Sequence, residues 1–142
     1  MYLLYTNVLS ELMRLTPSPQ VMQWIDAQAA QNLYTSAITR AEIELGLALL
    51  PSGKRQKALA VQSKAMFEED FAGRCLPFDE RCAPVYGVLI ASRTRQGQPI
   101  SVEDAQIAAI GLVNQKILVT RNTADFENIQ GLRIVNPWVS PS

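Results

Sequence analysis

The chain has 142 residues, 48% hydrophobic and 18% charged, with 13 Lys plus Arg, 13 Asp plus Glu and no histidine. That length and apolar content suit one domain, over 1–142, with a real core, and they exclude a disordered chain. Without histidine there is no Ser-His-Asp triad, no Cys-His nucleophile pair and no histidine zinc site. A formal charge of zero argues against a generic nucleic-acid coat while leaving room for a local basic face.

In chain order, residues 2–5 form a short apolar run bounded by Thr6 and Asn7, the pattern of a buried strand ending in a polar turn. The apolar spacing predicts a helix over 8–14, broken by Pro17 and Pro19, and a second over 21–30. Residues 33–36 read as a strand. Residues 39–50 read as a helix closed by Pro51-Ser52-Gly53, and 54–71 as a longer, more polar one. A strand over 74–78, helices over 81–97 and 101–114, and strands over 117–120 and 132–135 complete the chain. Short, continuous apolar strands alternating with helices predict an α/β domain with a mainly parallel sheet of about five strands, covered on both faces. Ligands in such sheets sit at the carboxyl ends of the strands. Attention therefore falls on Thr6 and Asn7, on 36–42, and on 120–125.

Cys75 and Cys82 are too few for a zinc site and read as reduced core residues. The opening MYLLYTNVLSELMR lacks a basic leader and is too short and polar for a membrane span, so the expected location is the cytoplasm, with no membrane association.

Most acids read as solvated surface, among them Glu68, Glu69 and Asp70, and Arg40 and Glu44 have the spacing of a weak i,i+4 pair. Glu42 and Asp104 differ. Glu42 has Ile38, Leu45 and Leu49 as helical neighbours; Asp104 has Ile100, Ile107, Ala108 and Gly111. A carboxylate on an apolar face costs several kcal/mol unless it is paired or metal-bound. Thr39-x-x-Glu42 and Ser101-x-x-Asp104 also have capping-box spacing, which suits an acid in the first turn. Taken together, two acids facing one cleft would repel, and a divalent cation with oxygen ligands would relieve that repulsion. The segment 120–125 adds Thr120, Asn122, Thr123 and Asp125 after a strand; alone it reads equally as an ordinary polar turn.

The ordered set MYLLYTNVLSE, SAITRAEIELGLALL, LPFDE, SVEDAQIAAIG, LVTRNTADFENI and VNPW resembles the PIN-domain toxins of the VapC/FitB type over nearly the whole chain. The resemblance implies an α/β/α sandwich and endoribonuclease activity dependent on Mg²⁺ or Mn²⁺. It also implies a cognate antitoxin, a homodimer, and DNA contacts made only through the antitoxin. Glu42 and Asp104 match two members of the family's acidic cluster. Asn122 occupies a further position, with Asp125 close enough to substitute or assist. The first position departs: the family's start reads Leu-Asp-Thr-Asn, and here it is Leu4-Tyr5-Thr6-Asn7.

Tyr5 thus stands where the resemblance implies a principal metal ligand. A phenol is a poor Mg²⁺ ligand and much bulkier, so metal affinity and cleavage are expected to be severely weakened. A selected or engineered inactivating change and a natural non-catalytic copy, kept for antitoxin binding or dimerisation, both fit. A receiver or haloacid-type phosphotransfer domain also needs a first-strand aspartate, which Tyr5 removes. In the implied mechanism the acids hold one or two metal ions that activate water, while Thr6, Asn7 and Thr120 orient the ligands by hydrogen bonds. Arg40, Lys54, Arg55 and Arg121, with Lys57, Arg93 and Arg95, are the candidate RNA contacts; for most of them a solvated surface charge is the competing reading.

Overall fold

The computed structural model describes residues 1–139. Five strands, β1 (Tyr2–Leu4), β2 (Leu33–Ser36), β3 (Cys75–Leu76), β4 (Ile117–Val119) and β5 (Ile134–Val135), form one sheet in the order β3-β2-β1-β4-β5. Every neighbouring pair is parallel, with Leu3 opposite Tyr34 on one side and Leu118 on the other. Side chains alternate across the sheet. Leu3, Tyr5 and Leu118 enter one core with Ile107, Ala108 and Ile110; Leu4 and Val119 enter the other with Val8, Leu9, Val21 and Ile43. Helices α1 (Thr6–Leu12), α2 (Pro19–Asp26), α3 (Ala37–Leu49) and α4 (Lys54–Ala65) contribute to the second core or its margin. Helices α5 (Cys82–Arg95) and α6 (Val102–Val113) cover the first. The result is the expected α/β/α sandwich.

The chain runs β1, β2, β3 outward in one direction and then returns to place β4 on the other side of β1. The crevice outside the carboxyl ends of β1 and β4 is therefore the topological switch point, where open α/β sheets bind ligands.

The elements appear where the pattern put them, with shifted ends. α3 begins at Ala37, not 39, because Ser36 ends β2 and is itself the N-cap: its Oγ accepts from Thr39 N at 3.1 Å. Thr39-x-x-Glu42 is therefore not a capping box, and Glu42 lies beyond the first turn. The second box does cap: Ser101 Oγ accepts from Asp104 N at 3.1 Å. α1 begins at Thr6, earlier than its first apolar residue. α4 stops at Ala65 and passes into a π-turn over Met66–Asp70, which turns Met66 and Phe67 into the core. Cys82 is buried and Cys75 half-buried, both as free thiols. No helix of the described residues is long and apolar enough to cross a membrane.

Candidate active site

Tyr5 follows β1 and is the N-cap residue of α1, with extended backbone angles and no side-chain capping bond. Its ring is core, 5% exposed, and meets Phe126 edge-on at 5.7 Å. The hydroxyl emerges from that core and donates to Asp104 Oδ1 at 2.5 Å. Burial, the bond to Asp104 and the nearby charges of Asp104, Glu42 and Glu103 all raise its pKa, so the phenol stays protonated through the neutral range.

Thr6, at the start of α1, donates from Oγ1 to Glu42 Oε1 at 2.8 Å, and its Oγ1 lies 3.2 Å from that of Thr39. Glu42 is half-buried on α3. Desolvation raises its pKa; the Thr6 bond opposes this, and Glu103 and Asp104 add to it. Asn7 ties the two central strands together. Its Nδ2 donates to Thr120 Oγ1 at 3.1 Å, and its Oδ1 accepts from Arg121 N at 3.4 Å. Fully buried Thr120 also accepts from Asn122 N at 3.1 Å, which folds the segment after β4 back toward the site.

The sequence candidates therefore separate. Tyr5, Thr6, Asn7, Glu42, Arg121 and Asn122 line one cavity of about 480 Å³ at the switch point. Asp104 is joined to it through Tyr5 and is not itself among the lining residues. Asp125 is exposed on a 3-10 turn (Thr123–Phe126), outside that lining. Arg40 pairs with Glu44 at 3.9 Å and lies over the Phe67 ring. Lys54 and Arg55 are exposed at the start of α4, with Arg55 on an adjoining groove that also contains Met13, Leu47 and Leu59. Arg93 is a correction: it is not a surface cation but is buried, donating from Nε to Gln98 O at 2.8 Å and from Nη2 to Asp125 O at 3.4 Å.

Four further lining residues had not been singled out: Ser10, Glu11, Arg14 and Trp138. Glu11 is buried, and its carboxylate accepts from Ser18 N at 2.9 Å and from Arg14 Nη1 at 3.2 Å. The i,i+3 spacing of Glu11 and Arg14 was the available signal. Trp138 belongs to the VNPW segment, whose role no spacing rule reveals.

As they stand, these side chains offer a divalent cation an incomplete set of ligands. Among the described residues no three His, Cys, Asp or Glu side chains converge. The Tyr5 hydroxyl places a proton against one Asp104 oxygen, and the Thr6 hydroxyl places another against one Glu42 oxygen, so each carboxylate already spends an oxygen on a neutral donor.

The PIN domain family model matches residues 2–132. The chain is 45% identical to the plasmid stability protein StbB of Pseudomonas syringae pv. tomato, over 97% of this chain and 99% of that protein. It is 38% identical to the toxin FitB of Neisseria gonorrhoeae, again over 97% and 99%. A solved structure of the FitAB complex bound to a DNA fragment superimposes with a TM-score of 0.91 at 36% identity, covering 100% of this chain and 99% of that one. With the parallel sheet and the site at its switch point, these likenesses show that the chain belongs to the PIN domain family, as a toxin of the VapC/FitB type.

Proposed function

We propose that this chain is the toxin component of a type II toxin–antitoxin pair, built on an RNA-cleaving scaffold whose metal centre is disabled at position 5. The observation that carries the reading is the 2.5 Å bond from the Tyr5 hydroxyl to Asp104. A second one supports it: position 5 has N-cap geometry but no capping bond. Such positions favour a short acceptor such as aspartate, so the backbone suits the acid the family carries there. An aspartate at position 5 would complete an oxygen set with Glu42 and Asp104, with Asn122 beside them, for Mg²⁺ or Mn²⁺. A VapC ribonuclease of Sinorhizobium fredii, 41% identical, supports an endoribonuclease reading of the scaffold.

The proposal extends to the partner, the location and the assembly. The FitAB complexes support an antitoxin as the partner; a cytoplasmic homodimer that touches DNA only through that antitoxin is what the family resemblance implies, and it is proposed with it. The test is RNA cleavage with Mg²⁺ by the wild type and by Tyr5→Asp. The expected result is cleavage by the variant alone, abolished by adding Glu42→Gln. A folded, antitoxin-binding Tyr5→Asp protein that leaves RNA intact overturns this reading. It would favour a non-catalytic copy kept for partner binding, a reading the close fit of the Tyr5 ring on Phe126 also suits.

A further inference from the structure

The cavity beside Tyr5 has an acidic side, which repels phosphate, and a rim that carries two arginines. The two are not equivalent. Arg14 is held by both oxygens of Glu11 at 3.2 Å, so its charge is spent within the protein. Arg121 makes no ion pair among the described residues, and its guanidinium carbon lies 5.0 Å from the centroid of the Trp138 ring. That ring packs in turn against the core that holds Val8 and Val119. The Arg121 backbone is fixed as well: its N–H donates to Asn7, and the next N–H donates to Thr120. Arg121 is thus an exposed cation with an uncompensated charge, backed by an aromatic ring and anchored at the switch point.

A guanidinium in this setting offers a planar N–H fork for a phosphate and a face on which a base can stack. The cavity volume, about 480 Å³, falls in the range of small-ligand sites. We infer that Arg121, supported by Trp138, forms a nucleotide subsite that holds one phosphate and its base of single-stranded RNA beside the acidic centre. This rests on the ribonuclease reading above and names how the same site grips its substrate. It also explains how a chain with no net charge holds RNA: one pre-positioned cation at the cavity replaces a general basic surface.

The test is equilibrium binding of a fluorescently labelled single-stranded RNA of mixed sequence to the full-length wild type, Arg121→Met, Arg121→Lys and Trp138→Phe, across a salt series. Arg121→Met is expected to weaken binding about tenfold, within the range of one stacked base. It should also lower the slope of log affinity against log salt by about 0.7, the loss of one single-strand phosphate contact. Arg121→Lys should recover the slope but little of the affinity. Trp138→Phe keeps a ring in the core but shrinks the aromatic support behind the guanidinium, and should lose part of the affinity while keeping the slope. Cleavage by Tyr5→Asp serves as the second arm. If Tyr5→Asp cleaves RNA while Arg121→Met changes neither affinity nor slope, the subsite is wrong and the ribonuclease reading survives. If the wild type binds no RNA and Tyr5→Asp cleaves none, both fail. Unchanged RNA binding with weakened antitoxin binding in Arg121→Met would assign the residue to the protein partner and overturn the inference.

Discussion

Tyr5→Phe removes one oxygen and leaves the ring packed on Phe126, so it isolates the hydroxyl that meets Asp104. A hydrogen bond to a charged group contributes about 1.5–3 kcal/mol. Asp104 is half-buried, so water can replace part of what is lost. The lower end, about 1.5 kcal/mol, is therefore the expected destabilisation, which for a chain of this size lowers Tm by roughly 5 °C. The difference should also depend on pH. The Tyr5 pKa in the folded protein is raised above the ordinary value of 10.0, so its contribution is fully present below that value and is lost as pH rises above it. Paired urea titrations of wild type and Tyr5→Phe at neutral and strongly alkaline pH measure both effects. A change smaller than about 0.5 kcal/mol at neutral pH, or a gap that widens above pH 10, would refute the role given to this bond.

Other consequences follow from the same geometry. Because burial is the main cause of the raised Glu42 pKa, ionising Glu42 opposes folding: the penalty is absent below its unfolded value of 4.5 and grows as pH rises toward the folded value. Glu42→Gln is therefore expected to gain stability relative to wild type at neutral pH and to lose that advantage near pH 4, as thermal melts at the two pH values would show. Thr120→Val keeps the shape of a fully buried side chain but leaves Asn7 Nδ2 and Asn122 N without their acceptor. A loss of about 1–3 kcal/mol is expected, with faster amide exchange at Asn122 as the local signature.

The sheet was legible because its strands are continuous apolar runs between polar turns, and the parallel order follows from their alternation with helices. The element ends were less legible. α1 and α3 both start earlier than the pattern suggests: α1 opens on the polar residues Thr6 and Asn7, which carry no apolar periodicity, and α3 follows directly on β2 with Ser36 as its cap. Ser36 and Thr39 are chemically equivalent caps on paper; the backbone leaving β2 chooses Ser36. Glu42 and Asp104 were visible as acids in apolar surroundings. The bond from Tyr5 to Asp104 was not, since it joins residues 99 positions apart. Glu11 escaped because a buried acid satisfied by Ser18 N and Arg14 leaves almost no trace in local sequence. Arg93 reads as a surface cation for the converse reason: backbone carbonyls of Gln98 and Asp125 accept its protons, and no sequence rule counts carbonyls.

Tyr5 is proposed to keep a divalent cation out of a site otherwise suited to one. Calorimetric titration of Mn²⁺ into the wild type and into Tyr5→Asp tests it most directly. The substitution replaces a buried ring, which removes packing worth up to about 3–5 kcal/mol, so circular dichroism must first establish that the variant is folded. No saturable binding is expected by the wild type, and stoichiometric binding by Tyr5→Asp that Asp104→Asn abolishes. Equal Mn²⁺ binding by the two proteins, or none by a folded Tyr5→Asp, would contradict it.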